Sequence, residues 1–284
     1  MHFRILGPLE VIAGGRPVTP GGIRQRSVLG LLLLQPNRVM PTSRLVSAMW
    51  PDVPPPSARK VVQNSIWALR RLIVESGRLS DGCQAAEGSP GRPGEPRVRL
   101  LTKPPGYMLC LDTDRVDMHR FQRLVEQGRT ALSGGDPEQA TRLLRTALDL
   151  WQGPVLADLV ESGLDTAELT AVQNCELAAL EDYFEAQLAC GRHLAVLGEL
   201  ETTAGSHIHR ERLCGQLMLA LYRCGRQADA LAVYRRTRTA LRDRYGLEPG
   251  HELRRLEMAI LNQDPVLSLP STRTEFALLG RSVA

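Results

Sequence analysis

Beyond Asp112 the chain carries apolar residues at helical spacing and no convincing strand, which confines any sheet to the first 111 residues. The spacing predicts helices near Met118–Leu132, Pro137–Trp151, Ala167–Ala189, Leu194–Thr203, Glu211–Arg223, Gln227–Tyr245 and Glu252–Leu261. Glycine marks short corners between them: Gly191 and Gly225 stand 34 residues apart in Cys190-Gly-Arg192 and Cys224-Gly-Arg226. Gly135, Ala140, Leu144 and Ala147 set out a glycine, small, large, small order, and Gly225, Ala230 and Tyr234 repeat its first three positions. The small residue lets two helices approach closely, and the large one fills the gap between hairpins.

A 34-residue period in this order is that of the tetratricopeptide repeat. Residues 112–264 therefore read as an all-α, tetratricopeptide-like helical-repeat domain, degenerate in its middle section, and residues 265–284 as a flexible tail. The first 111 residues read differently. Phe3–Leu6, Leu9–Ile12 and Pro17–Thr19, punctuated by Gly7-Pro8 and Gly14-Gly15, predict a small antiparallel sheet. Arg24–Leu34 and Arg44–Trp50 predict two helices, the second capped from Pro41-Thr42-Ser43. Ser57 is a good N-cap for a third after Pro54-Pro55-Pro56, and Gly77 reads as its stop. From 77 to 96, five glycines and three prolines predict a flexible loop. Val98–Thr102 and Tyr107–Leu111 then form a hairpin about Lys103-Pro-Pro-Gly106. Sheet, three helices and hairpin, in that order, make a winged helix-turn-helix, so the chain as a whole is mainly α.

The third helix divides into two faces. At 100° per residue Val62, Ile66, Leu69 and Ile73 share one stripe, while Lys60, Asn64, Trp67 and Arg71 share the opposite one, flanked by Gln63. Such a face on an isolated helix is usually solvated. Here residues 1–110 hold 15 basic and 6 acidic side chains, whereas 111–284 hold 20 and 25, so the basic part suits a polyanion. Arg59, Lys60, Gln63, Asn64, Trp67 and Arg71 are the candidates for major-groove base contacts. Arg24, Arg26, Arg44, Arg70, Arg99, Thr102, Lys103 and Tyr107 are the candidates for phosphate contacts. Trp67 either touches a base or sugar or is covered by the 77–96 loop.

Other chemistries find little support. The longest apolar run, Val28–Leu34, is too short to span a bilayer, and the N-terminus lacks signal-peptide features, so a cytoplasmic chain without a membrane partner is expected. The six cysteines include no Cys-x-x-Cys pair, and His207-x-His209 has no companion ligands, so no metal is expected. Neither Lys60 nor Lys103 lies in a phosphate-binding loop, which argues against bound ATP or another cofactor. No nucleophile elbow or His-Glu-x-x-His zinc motif points to an enzyme. Glu181-Asp182 and Asp112, Asp114 and Asp117 read as solvated helix or linker charges.

Leu6-Gly-Pro-Leu9, Arg24-Gln-Arg-Ser-Val-Leu29, Pro104-Pro-Gly-Tyr107 and Tyr245-Gly-Leu-Glu-Pro-Gly-His-Glu-Leu-Arg-Arg255 occur in order around these elements. Together they resemble the Streptomyces antibiotic regulatory protein family over residues 1–264. The resemblance implies an OmpR/PhoB-type winged-helix DNA-binding domain over 1–111 and a bacterial transcriptional activation domain over 112–264. It also implies double-stranded promoter DNA, bound at direct repeats near the −35 element by a homodimer, and RNA polymerase holoenzyme, sigma factor and core, as partners. The regulated genes would serve antibiotic biosynthesis. The recognition helix matches 59–71 and the wing 99–107. Ala68, where relatives usually carry a basic residue, and Trp67 beside it depart from the family pattern. Larger relatives continue into an ATPase domain, and Leu269–Arg281 resembles the linker to one. A second reading is an adaptor whose winged helix has become a protein-docking surface; salt-dependent, sequence-selective DNA binding separates the two.

Overall fold

The computed structural model describes residues 1–84 and 98–268, and the side chains of 1–77 and 98–268. Strands β1 (His2–Arg4), β2 (Glu10–Ala13) and β3 (Arg16–Val18) form an antiparallel sheet in that order. Phe3 pairs with Val11 and Val11 with Val18, which turns Phe3 and Val11 to one buried face. Helix α1 (Ile23–Leu34) buries every residue from Ser27 to Leu34, as a helix apolar all round must. Strand β4 (Met40–Pro41), too short to show a strand pattern, leads into α2 (Thr42–Met49). Helix α3 (Ala58–Gln84) is 27 residues long and runs through Gly77, which keeps helical φ. A glycine costs a helix interior about 1 kcal/mol but still donates its hydrogen bond, so it stops a helix only when it turns left-handed.

Strands β5 (Arg99–Lys103) and β6 (Gly106–Cys110) form the expected hairpin, and β4 joins it in the order β4-β6-β5. The expected 77–96 loop is helical to residue 84, and from 85 it lies outside the described residues, as does the tail from 269. A 3-10 turn (Thr113–Arg115) precedes α4 (Asp117–Ser133), α5 (Pro137–Leu148), the short α6 (Ala157–Val160) and α7 (Ala167–Ala189). Then come α8 (His193–Ser206), α9 (Glu211–Arg223), α10 (Gln227–Tyr245) and α11 (His251–Leu261). The expected tail begins with order: Pro265–Leu267 is a 3-10 turn with Leu267 buried.

Three helix corners repeat one device. Gly135, Gly191 and Gly225 take φ of 80°, 75° and 76°, and the next N–H reaches back five residues: Asp136 to Ala131, Arg192 to Gln187 and Arg226 to Leu221, each 2.9 Å. Gln263 (φ 53°) makes a fourth corner without glycine, closed by Asp264 on Ala259 at 2.9 Å. Ala140, Leu144, Ala147 and Ala230 are fully buried, and Tyr234 nearly so, as the repeat pattern requires.

By packing, the chain divides into two compact units, residues 1–130 with 142–180, and residues 131–141 with the chain from 181 onward. The first unit therefore contains the winged helix together with α6 and the start of α7. Three acidic residues read as solvated are not. Asp117 accepts the buried main-chain N–H groups of Ile5 (2.9 Å) and Leu6 (3.1 Å), ending β1. In the second unit Glu181 and Asp182 are buried against arginines: Arg212 Nη2 lies 2.8 Å from Asp182 Oδ1, and Arg210 Nη1 lies 3.5 Å from Glu181 Oε1. Burial of a carboxylate is tolerable only with such partners. No described helix is long and apolar enough to cross a membrane.

Candidate nucleic-acid interface

Helix α3 presents the two faces its sequence promises. Val62, Ile66 and Leu69 are buried, while Ile73 is only half-buried. Arg59, Lys60, Gln63, Asn64, Trp67 and Arg71 are all exposed on the other side, and Ala68 is half-buried between the faces. Trp67 is 65% exposed, an unusual position for so large an apolar ring. Arg71 Nε donates to Glu75 Oε1 at 2.7 Å one turn along, and this carboxylate raises the Arg71 pKa. The pair is exposed, so a stronger acceptor can displace it.

Arg70 ties the hairpin to this helix. Its Nε donates to the Leu100 carbonyl (2.9 Å) and its Nη2 to Thr102 Oγ1 (2.7 Å), so it orients the wing. The hairpin tip is held from the other side. The N–H of Thr42 donates to the Pro105 carbonyl at 3.3 Å, and Gly106 pairs with Pro41. A Cβ at Gly106 would overlap the Met40 carbonyl and sit 2.8 Å from Pro41 Cα, so only glycine fits. Asn37, left-handed at φ 61°, grips the hairpin's end by donating Nδ2 to the Leu111 carbonyl (3.0 Å) and accepting its N–H (3.1 Å). Arg99, Thr102 and Lys103 are exposed along the hairpin and Tyr107 is half-buried in it.

The remaining phosphate candidates separate from this surface. Arg26 is an intramolecular ligand: its Nε donates to Asp158 Oδ2 at 3.0 Å and its Nη2 to the Leu9 carbonyl at 3.1 Å, with the ion pair about three-quarters buried. Arg44 pairs with Glu168, which also accepts from Gln35 Nε2 at 2.9 Å. Arg26 is thus largely buried in its pair while Arg44 stays exposed beside Glu168, so a phosphate contact by either has to displace an internal carboxylate. Arg24 stays exposed but lies over the Trp50 ring, 4.6 Å from its centroid, and donates to the Met49 carbonyl at 3.2 Å.

Asp158, Glu168 and Asn37 act on this arrangement without any local sequence signal, since their partners lie far along the chain. Among the described residues no cluster of three or more His, Cys, Asp or Glu could hold a metal, and Cys110, Cys175, Cys190, Cys214 and Cys224 are free thiols. The surface offers long cations for phosphates, amides and a guanidinium for base edges, and an indole for apolar contact.

The profile of the bacterial transcriptional activator domain matches residues 116–261. The transcriptional regulatory protein EmbR of Mycobacterium tuberculosis (strain ATCC 25618 / H37Rv) is 37% identical over 277 residues, covering 98% of this chain and 67% of its own. The regulatory protein DnrI of Streptomyces peucetius is 35% identical over 266 residues, covering 93% of each. A solved structure of M. tuberculosis EmbR in complex with a low-affinity phosphopeptide superposes with a TM-score of 0.79 at 36% identity. That match covers 93% of this chain and 65% of the solved one, so the chain spans just under two thirds of it.

Proposed function

This chain belongs to the Streptomyces antibiotic regulatory protein family, and we propose that it is a sequence-specific, DNA-binding transcriptional activator. Residues 1–111 bind DNA and residues 112–264 form the activation module. α3 enters the major groove, where Arg59, Lys60, Gln63, Asn64, Trp67 and Arg71 meet base edges. Arg99, Thr102, Lys103 and Tyr107 on the wing, with Arg24, meet phosphates, and Arg70 acts by holding the wing. Two protomers occupy direct repeats near a −35 element, and the helical module recruits RNA polymerase holoenzyme to genes of a secondary-metabolite cluster. The observation that carries this reading is the exposed Lys60–Asn64–Trp67–Arg71 stripe, backed by a buried stripe and flanked by a tethered hairpin.

Footprinting and gel-shift titration on the promoters of neighbouring genes test it. Selective protection of repeats overlapping the −35 element is expected, with transcription by the holoenzyme stimulated in a reconstituted assay. Binding to those promoters no tighter than to shuffled DNA at physiological salt would overturn it in favour of the adaptor reading.

A further inference from the structure

In the unit resuming at Glu181, a cavity of about 440 Å³ is lined by His193, Tyr222, Arg223, Gln227, Gln263 and Ser268, with no carboxylate among its described lining residues. Arg223 donates Nε to the Leu267 carbonyl (2.9 Å) and Nη1 to the Leu188 carbonyl (2.8 Å), and makes no ion pair among the described residues. Three other partly buried arginines have carboxylates, Arg26 with Asp158, Arg210 with Glu181 and Arg212 with Asp182, whereas Arg70 bonds only neutral acceptors but lines no such cavity. Burial pushes the Arg223 pKa down with nothing to oppose it. Arg212 also suffers from burial, but Glu185 and Asp182 carry it above its usual value. A half-buried guanidinium that meets only neutral carbonyls is an electrostatic debt that an anion would settle.

The surroundings have the same sign. His193 is the first residue of α8 and Gln227 the first of α10, and neither helix has a side-chain cap, so the positive ends of two helices meet this cavity. The acid in α10's first turn, Asp229, is engaged by Arg226 at 2.7 Å and does not line the cavity. Among the described residues His193 Nδ1 has no hydrogen-bond partner, the ring's one polar contact there being with the Gly191 backbone. Among the described residues the Gln263 side chain makes one hydrogen bond, a 3.5 Å contact from its Nε2 to Gln227 Oε1. The volume suits a metabolite rather than a folded partner.

We propose that this cavity binds a small oxyanion, a carboxylate- or phosphate-bearing metabolite, through Arg223 Nη2, a turned His193 ring and the first turns of α8 and α10. The helical module would then carry an effector site that shares no residue with the proposed DNA-binding surface. The full chain, without DNA, is titrated with inorganic phosphate and with succinate at ionic strength fixed by potassium chloride, following the His193 ring signals by NMR and the melting temperature. At least one of the two should saturate, shift those signals and raise the melting temperature. Which one saturates distinguishes phosphate from carboxylate chemistry. Arg223→Met should weaken binding at least tenfold. Because Arg223 also holds two carbonyls, His193→Ala and Gln227→Glu serve as independent variants, each weakening binding at least fivefold. Failure of both probes to saturate, or saturation unaltered in His193→Ala and Gln227→Glu, overturns the site. The absence of DNA keeps this outcome independent of the proposed activator role.

Discussion

Replacing Asp117 by alanine removes the acceptor of two buried main-chain donors, Ile5 N–H at 2.9 Å and Leu6 N–H at 3.1 Å. Each donor left unsatisfied costs about 1–3 kcal/mol, so the pair costs roughly 2–6 kcal/mol. One effect acts against this. Burial raises the Asp117 pKa more than the N–H groups of Ile5, Leu6 and Met118 lower it, so the ionised carboxylate is itself under strain, and removing it returns part of the loss. We expect a net destabilisation of about 2–4 kcal/mol for Asp117→Ala and roughly half that for Asp117→Asn, which keeps one acceptor oxygen. Trp50, Trp67 and Trp151, the chain's three tryptophans, all lie in the unit that holds Asp117, so urea unfolding followed by indole fluorescence reports on it. The pH dependence has a definite sign. A carboxyl whose folded pKa is raised adds stability that is complete below its ordinary value of 3.8 and is lost as pH rises through the folded value. Wild type should therefore gain on Asp117→Asn as pH falls from 7 towards 4. A loss under about 1 kcal/mol for Asp117→Ala, or a gap that narrows on acidification, would refute the reasoning.

Gly106→Ala should separate β4 from β6, lowering the melting temperature and weakening promoter binding together, because its Cβ has no room beside Met40 and Pro41. A gel shift indistinguishable from wild type would exclude the tethered wing. Lys103→Ala should make the plot of log affinity against log salt shallower by about 0.9, the value of one phosphate, while Arg26→Ala should leave that slope alone. Equal slopes for Lys103→Ala and wild type would remove the wing tip from the interface. Gly225→Ala should cost about 1 kcal/mol in a thermal melt, since its φ of 76° is unfavourable for a side chain; an unchanged melt would contradict the corner.

Periodicity reads a single element well. The bounds expected for α7, α9 and α10 are those observed, and the buried and exposed stripes of α3 differ from expectation only at Ile73. What the pattern misses is set by partners distant in sequence. Asp117 meets Ile5 across 112 residues and Asp158 meets Arg26 across 132, and nothing near either acid announces its partner. Strand β4 is missed for a related reason: two residues cannot show alternation, and only pairing with Tyr107 and Gly106 makes them a strand. Glu181 and Asp182 look like surface charges until the N-terminal end of α9 brings Arg212, and Arg210 just before it, against them.

The same long-range pairing changes how the charge asymmetry should be used. Residues 1–110 carry 15 basic side chains against 6 acidic, yet Arg26 and Arg44 are neutralised by Asp158 and Glu168, acids that the count assigns to the other part of the chain. The total therefore overstates the field available to a polyanion. Of the candidate contact residues, the cations not engaged by Asp158, Glu168 or the wing are Arg59, Lys60 and Arg71 on α3, with Arg99 and Lys103 on the hairpin and Arg24 beside Trp50. All of these are exposed, and one, Arg71, must leave Glu75 before it can engage a base. Glu75→Gln should then tighten promoter binding about twofold or less, because an exposed i,i+4 pair is a weak competitor. A tenfold gain in the same gel-shift titration would mean that Glu75 repels the DNA itself, and that α3 lies deeper in the groove than its first four turns require.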